Sequence, residues 1–290
     1  MKLTFLGTSA GESYPAIWCD CENCSYARRH GGRNIRVNTG TMIDNDVLID
    51  MNAVSFHTAA RLGVSLTQVT KLLVTHPHPD HLAVEPLDWR MAADDAPYRS
   101  PREQRGMVSP RFTKLPVMTM YGNAATKRRL DRLEPDMFDG HLAMRFHEIR
   151  EGEEVTDGDL SFVPVRAMHG GEPGFAHSYI IKRGGKTLLY ALDTGGYEDD
   201  MMALILKEKY DAVVMEGTFG LTEGDDPNHM TYRKNAAFRD RLREAGCISD
   251  DTPFFLTHMS PHWTPPYDIY APLMKEKGFI VAYDGMTARI

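Results

Sequence analysis

The sequence has little cysteine, no long apolar run and fewer basic than acidic residues. Only four of the 290 residues are cysteine, too few for the disulfide framework of a small secreted domain. No apolar run reaches the roughly 20 residues that a membrane helix needs. The short apolar run at residues 2–7 stops at Gly7 and is typical of a strand rather than a signal peptide. We therefore expect a soluble cytoplasmic protein without a membrane partner.

The charge balance also limits the partners. The formal net charge is −7 and the sequence isoelectric point is about 5.9. Nonspecific binding of nucleic acid needs a basic face, so nucleic acid is not an expected partner. A run of basic residues lies in 93–116, which also holds four prolines. This segment is predicted to be a loop insertion, either a solvated surface loop or a lid that contacts substrate.

Strand-like and helix-like runs alternate along the chain. Residues 71–76 and 254–258 are short and apolar, as buried strands are, and 177–193 reads as a hairpin that turns at Gly184 and Gly185. Residues 52–63 and 228–245 have the pattern of helices. No linker or internal repeat divides the chain, so residues 1–290 are predicted to form a single α/β domain.

The most informative motif is THPHPDH, residues 75–81. It places His76, His78, Asp80 and His81 directly after an apolar strand. On an extended backbone, side chains at i and i+2 point to the same side, and the two intervening prolines exclude a helix. Imidazole and carboxylate ligands together suit zinc, manganese or iron. The motif therefore indicates a metal site.

Three further candidate ligands follow later strands. His169, Asp193 and His258 each come at the end of an apolar run. Taken singly, each of them could be a hydrogen-bonded polar residue at a strand end. Their shared position favours a common site, because strand ends are where such scaffolds present functional side chains.

This ordered set resembles the ligands of the metallo-β-lactamase superfamily, and the similarity runs from the KLTFLGT opening to His258. The resemblance implies a four-layer αββα sandwich and two divalent metals, zinc or manganese. One metal would be held by His76, His78 and His169. The other would be held by Asp80, His81 and His258, with Asp193 as a bridge. Two such metals can share a hydroxide that attacks the substrate. Because Asp80 and Asp193 would bind these metals, both belong to the expected catalytic centre.

A second cluster of possible metal ligands lies in CDCENC, residues 19–24. Cys19, Cys21 and Cys24 resemble the cysteines of the superfamily branch that contains a phosphoribosyl cyclic phosphate phosphodiesterase. In that branch they bind a structural zinc together with a later histidine, which here corresponds to His262. Cys247 and His30 are the alternative fourth ligands. Three thiolates and one imidazole make a closed, structural zinc site. Reduced buried cysteines without metal are the alternative.

A third segment, EGTFG…PNHMTYRKN, resembles the region of the catalytic histidine in superfamily phosphodiesterases. His229 would contact the phosphate and protonate the leaving alcohol, whose alkoxide is a poor leaving group. Alternatively, His229 only hydrogen-bonds locally at a helix start that Asn228 caps. Glu216 resembles a residue that supports the site. Arg33 or Arg36 could hold a second anionic group or be surface charges.

The sequence therefore predicts a metal-dependent phosphodiesterase that acts on a small, cyclic or nucleotide-like phosphodiester. A thioesterase or other acyl hydrolase on the same dinuclear site is the nearest alternative, followed by a tRNA-processing nuclease. A binding or carrier protein related to pyrroloquinoline quinone biosynthesis protein B is the non-enzymatic alternative. A homodimer is expected only because dimers are the commonest oligomers.

Overall fold

The computed structural model describes residues 1–90, 115–140 and 142–290, and two sheets form its centre. The strands of the first sheet are β1 (Lys2–Gly7), β2 (Gly40–Ile43), β3 (Val47–Ile49), β4 (Lys71–Leu73), β5 (Met118–Gly122), β6 (Met144–Glu148) and β14 (Thr287–Arg289). Their order is β14-β1-β2-β3-β4-β5-β6. The predicted insertion at 93–116 lies outside the described residues, except for its last two positions.

The second sheet takes its strands from the later part of the chain. They are β7 (Val155–Asp157), β8 (Leu160–Ala167), β9 (Ala176–Arg183), β10 (Lys186–Ala191), β11 (Ala212–Glu216), β12 (Phe254–Thr257) and β13 (Ile280–Val281). Their order is β13-β12-β11-β10-β9-β8-β7. Strands β10 to β13 run parallel, while β9 is antiparallel to both β8 and β10. Strands β8, β10, β11 and β12 therefore all end at the same edge.

Helices cover the outer faces of both sheets. They are α1 (Glu22–His30), α2 (Ser55–Arg61), α3 (Ala124–Leu133), α4 (Asp199–Ile205), α5 (Tyr232–Glu244) and α6 (Tyr267–Glu276). One buried apolar cluster joins the inner faces of the two sheets, for example Phe5 with Phe255. A second cluster packs Phe238 and Met274 on the second sheet, and a third packs Leu130 on the first. The predicted four-layer αββα sandwich is thus confirmed.

Several predicted boundaries were too long. The strand predicted at 71–76 ends at Leu73, and the helix predicted at 52–63 covers Ser55–Arg61. The helix predicted from 228 begins at Tyr232, where Thr231 caps it by accepting a hydrogen bond from the Lys234 amide. Some of the residues outside these elements bond to side chains instead, such as the Thr75 amide to Asp50 and the Val54 amide to Asn52. No helix in the described parts of the chain is long and apolar enough to cross a membrane.

Candidate metal centre

The predicted ligands converge at the edge of the sandwich where the two sheets meet. One sheet supplies the loop after β4, and the other supplies the residues that follow β8, β10 and β12. A backbone hydrogen bond of 2.9 Å from His177 to Thr75 fastens these two halves together beside the site. The predicted ligands therefore lie close together because the strands that precede them end at the same edge.

The first group of ligand atoms consists of three imidazole nitrogens. Nε2 of His76 lies 2.9 Å from Nδ1 of His78, and Nε2 of His169 lies 3.2 Å from the same Nδ1. His76 and His78 lie beyond the end of β4, so the loop itself turns their rings together. The three nitrogens face a common point, as a metal site requires.

The second group combines imidazole nitrogens with carboxylate oxygens. Nε2 of His81 lies 3.3 Å from Nε2 of His258, 3.3 Å from Oδ2 of Asp80 and 3.0 Å from Oδ2 of Asp193. Nε2 of His258 lies 3.7 Å from Oδ2 of Asp80 and 3.4 Å from Oδ2 of Asp193. Four tetrahedral ligands at about 2.1 Å from a metal are about 3.4 Å from one another. These residues therefore fit a divalent cation.

Asp193 lies between the two groups. Its Oδ2 faces His81 and His258, while its Oδ1 is 4.0 Å from Nε2 of His169. The carboxylate is buried, and its Oδ2 has no hydrogen-bond partner in the described structure. Its nearest charged neighbour is His81, whose Nε2 lies 3.0 Å away, so a cation, either this imidazole when protonated or a metal, must compensate the buried charge. This arrangement matches the bridging position predicted for Asp193.

The opposite ring nitrogens of the candidate ligands are held by residues that the sequence interpretation missed. Asp50 accepts from Nδ1 of His81 at 2.7 Å, and its oxygens also accept from the Thr75 amide and hydroxyl. Nδ1 of His76 is 3.1 Å from Oγ1 of Thr75, and Nδ1 of His258 is 2.9 Å from Oγ1 of Thr218. Such contacts place the proton on Nδ1 and leave Nε2 free for a metal. The only signal in the sequence was the position of Asp50 after a strand.

Three of the six non-glycine residues that have a left-handed backbone in the described ranges lie at or beside this centre. Asp50, Asp193 and His258 have φ values of 61°, 42° and 59°, in the left-handed region that residues other than glycine rarely adopt. Each such residue costs about 1–3 kcal/mol and persists only where its surroundings enforce it. The hydrogen bonds and packing around these three residues aim their side chains into the centre.

The electrostatics of the metal-free centre favour a cation. Burial would raise the pKa of Asp193, but the imidazoles of His258 and His81 outweigh it and hold the pKa well below its usual range. Burial would also raise the pKa of Asp80, but the neighbouring imidazole of His81 outweighs it, and the pKa is lowered. Burial lowers the pKa of His76 well below its ordinary value. Burial alone would lower the pKa of His81, but the carboxylates of Asp193, Asp80 and Asp50 outweigh it and raise the pKa well above its ordinary value. The carboxylates of Asp193 and Asp80 are thus ionised, and His81 must give up a proton when a metal binds.

His229 lies beside this centre in the loop before α5. Its Nδ1 is 2.8 Å from Oε1 of Glu216 and 3.6 Å from Oδ1 of Asp193. Burial alone would lower the pKa of His229, but the carboxylates of Glu216, Asp193 and Asp226 outweigh it and raise the pKa to about 9. Glu216 is fully buried and also accepts from the backbone amides of Thr194 and Thr218.

The loop that carries His229 packs directly on the strand end that carries Asp193. A Cβ atom at Gly195 would lie 1.9 Å from the carbonyl oxygen of Pro227, so only glycine fits there. Asn228 does not cap α5, as the sequence had suggested. Instead its Oδ1 accepts from the Gly170 amide at 3.2 Å, and its carbonyl is 3.2 Å from Nδ1 of His169. These contacts fix His229 relative to the predicted ligands.

The cysteine cluster forms a separate group of potential ligands. Sγ of Cys19 is 3.8 Å from Nδ1 of His262, and Cys21 lies close enough to complete a three-ligand group with them. Cys24 is buried in the first turns of α1, where burial and the neighbouring thiols Cys21 and Cys19 raise its pKa to about 12. Cys24 is thus a thiol in the metal-free chain.

The two alternative fourth ligands lie elsewhere. Cys247 is buried in the core of the second sheet, and its thiol faces the carbonyl of Leu206 at 3.5 Å. His30 stacks on Tyr26 at the exposed end of α1. Of the three candidates, only His262 lies beside the cysteines, and its role as a ligand stays a prediction.

Replacing Cys21 with serine is expected to remove one equivalent of zinc per chain, because the hydroxyl is a much poorer zinc ligand than a thiolate. The metal of the histidine and aspartate centre should remain. Elemental analysis of protein purified without added metal measures both, with Cys247→Ser as the matched control. If Cys21→Ser retained the full metal content, the cysteine cluster would not be a zinc site.

The two arginines considered for a second anionic group both contact other parts of the chain. Arg36 is buried, and its Nη1 donates to Oγ1 of Thr8 at 2.9 Å and to the carbonyl of Ala282 at 2.7 Å. The guanidinium of Arg33 lies 4.0 Å from the centre of the Tyr283 ring. Neither contact involves a predicted ligand.

Comparison of the sequence with known families agrees with this geometry. The sequence model described as the Beta-lactamase superfamily domain matches residues 33–259. The chain therefore belongs to the metallo-β-lactamase superfamily. Membership supports metal-dependent hydrolysis as the class of reaction and divalent metal binding by the histidine and aspartate cluster. Comparison with curated protein sequences gives no match.

Solved structures share the fold along nearly the whole chain. A diphosphatase from the PhnP family is 21% identical with a TM-score of 0.71, covering 99% of this chain and 96% of that one. Zinc-bound PqqB from Methylobacterium extorquens is 18% identical with a TM-score of 0.67, covering all of both chains. The short form of human tRNase Z is 16% identical with a TM-score of 0.65, covering 100% of this chain and 99% of that one. At these identities the similarity concerns the fold.

Proposed function

We propose that the protein hydrolyses a small phosphodiester. The observation that carries this proposal is His229, an imidazole that Glu216 holds at 2.8 Å beside the predicted metal ligands. A phosphodiester with an alcohol leaving group needs an acid to protonate the departing oxygen. An acyl thioester does not need one, because a thiolate leaves unaided. The positioned, protonated histidine therefore favours phosphodiester hydrolysis.

The metals would be held by the two groups of residues described above. His76, His78 and His169 would hold one, and Asp80, His81 and His258 the other, with Asp193 shared. When bound, zinc or manganese lowers the pKa of water toward neutrality and stabilises negative charge on the phosphoryl oxygens. Two metals are proposed because both groups are complete.

His229 would donate its proton from Nε2. Its Nδ1 is engaged by Glu216, and no hydrogen bond to Nε2 is formed within the described part of the chain. Glu216 keeps the ring charged and sets its orientation, since its other bonds to the Thr194 and Thr218 amides fix the carboxylate. Glu216 is therefore a positioning residue, while His229 would contact the leaving group.

Parallel assays separate this function from its alternatives. The metal-loaded protein is expected to turn over bis(p-nitrophenyl) phosphate and 2′,3′-cyclic AMP at rates far above its turnover of an acyl-glutathione thioester. A preference for the thioester would support the acyl hydrolase instead. The absence of turnover on every ester would favour the binding or carrier alternative.

Replacing Glu216 with glutamine is expected to move the alkaline limb of the pH–rate profile to lower pH. His229 must be protonated to act as an acid, so activity falls as the pH rises through its pKa. That pKa is raised to about 9, largely by Glu216, and loss of the negative charge brings it back toward 6.5. The kcat–pH profile on 2′,3′-cyclic AMP measures the shift, and an unchanged alkaline limb would contradict the role of Glu216. Bound metals add positive charge in both proteins and do not alter this direction.

A further inference from the structure

Two aromatic rings extend from His229 toward solvent. The ring of Phe219 lies 5.7 Å from that of His229, centre to centre, and the ring of Trp263 lies 5.3 Å from that of Phe219. Phe219 is half-buried, whereas Trp263 is 49% exposed. Phe219 and Trp263, here called the aromatic strip, thus lead from the proposed proton donor to the protein surface.

The two loops that carry the aromatic strip are packed tightly on each other. They follow β11 and β12. A Cβ atom at Gly220 would lie 2.8 Å from the carbonyl oxygen of Trp263, and Gly220 has a φ of 45°, so only glycine suits this position. Oγ1 of Thr264 donates to the carbonyl of Thr218 at 3.1 Å and joins the same two loops a second time. The backbone that carries both rings is therefore fixed beside the metal centre.

Carboxylates occur in the segments next to the aromatic strip. Oε1 of Glu12 lies 3.8 Å from Nε2 of His262, the residue that precedes Trp263. The loop that continues from Phe219 toward α5 carries further carboxylates, among them Glu223. Like charges repel, so these surroundings disfavour a phosphate at the strip. They suit a neutral ring, and they also suit the amino groups of a nucleobase, which donate hydrogen bonds to carboxylates.

We propose that the aromatic strip stacks on the nucleobase of a nucleotide substrate while the scissile phosphate lies at the metal centre. The proposal rests on the proposed phosphodiesterase function and names its substrate class: a nucleoside phosphodiester whose ribose oxygen leaves beside His229. Aromatic side chains stack on any base, because every base has a π-face. The spacing agrees, because Trp263 is separated from His229 by a single ring, a distance that one nucleoside spans.

The test compares two cyclic phosphates that differ only in the base. These are 2′,3′-cyclic AMP and methyl β-D-ribofuranoside 2,3-cyclic phosphate, in which a methoxy group replaces adenine. We expect the base to improve kcat/KM about tenfold or more, mainly through KM, because that is the usual effect of stacking one base on an aromatic side chain. Trp263→Ala should bring the ratio of the two kcat/KM values close to one, whereas Trp263→Phe should keep most of it.

Trp89→Ala is the matched control. It removes the same side chain, also exposed, from a cavity wall that Trp89 shares with Leu66 and Met118 of the first half of the chain. None of these residues contacts the aromatic strip, so the ratio of the two kcat/KM values should stay that of the wild-type protein.

Each outcome decides the proposal. If the wild-type protein turns over both cyclic phosphates equally well, or Trp263→Ala keeps the wild-type ratio, the aromatic strip does not bind the base. An equal loss on both substrates also keeps the ratio and would mean that Trp263 only supports the loop. If no phosphodiester is hydrolysed, the proposed function has failed, and binding then decides the subsite. Calorimetry with adenosine 3′-monophosphate should show about tenfold weaker binding to Trp263→Ala than to Trp89→Ala, and equal affinity or no binding to either would overturn the subsite.

Discussion

Replacing His229 with alanine is expected to lower turnover of 2′,3′-cyclic AMP by about 10²–10⁴-fold, the usual contribution of a general acid. Turnover of bis(p-nitrophenyl) phosphate should fall much less, because p-nitrophenolate leaves without a proton. The metal content should stay the same, since Nδ1 of His229 is bonded to Glu216 and the family resemblance assigns His229 to neither metal. His229 lies close enough to His169 and Asp193 to form a three-ligand group with them, so the metal content has to be measured. Steady-state kinetics on the two substrates and elemental analysis measure these three quantities.

The difference between the two substrates identifies the role of His229. An equal loss on both substrates would mean that His229 positions the centre or binds the phosphate without donating a proton. A loss of metal would mean that it is itself a ligand. His57→Ala is the matched control, because His57 is an exposed histidine on α2, away from the predicted ligands, and its removal should change neither rate.

Removing the catalytic metals is expected to lower the melting temperature by at least about 10 °C. The predicted ligands come from both sheets, so metal bound to the folded chain joins two halves that an unfolded chain cannot bring together. A ligand at a thousand times its dissociation constant stabilises the folded state by about 4 kcal/mol per site. For a chain of this size, 1 kcal/mol corresponds to about 2–4 °C. Thermal unfolding before and after chelation, and after zinc or manganese is returned, measures the shift.

The chelation-induced change in melting temperature could come from the cysteine cluster as well as from the catalytic centre, so the two contributions have to be separated. Chelation of the Cys21→Ser variant isolates the histidine and aspartate centre, which should still account for most of the shift. His229→Ala should show the same shift as the wild-type protein, because it keeps every predicted ligand. If chelation left the melting temperature unchanged in all three proteins, the predicted ligands would not hold metal in the folded state.

The fold and the candidate ligands could be predicted from the sequence because the decisive signals are local. His76, His78, Asp80 and His81 lie within six residues, and the prolines between them exclude a helix. His169, Asp193 and His258 could be added because each follows an apolar strand. These strand ends meet at one edge in the structure, and the family comparison confirms the fold that they implied.

The supporting residues could not be found in this way because their partners are distant in the sequence. Asp50 lies 31 positions from His81, and Thr218 lies 40 positions from His258. Helix α6 was also missed, since Pro272 lies inside it and proline normally argues against a helix.

The same separations determine when a newly made chain can acquire its metals. His81 and His258 are 177 positions apart, and Cys19 and His262 are 243 positions apart. Contacts between such distant segments form late in folding, because long loops must close first. During synthesis, the second group of catalytic ligands is incomplete until His258 has left the ribosome, and the cysteine cluster is incomplete until His262 has done so. We therefore expect metal loading of these two groups to follow docking of the two sheets, and a fragment that ends before residue 258 would lack predicted ligands of both.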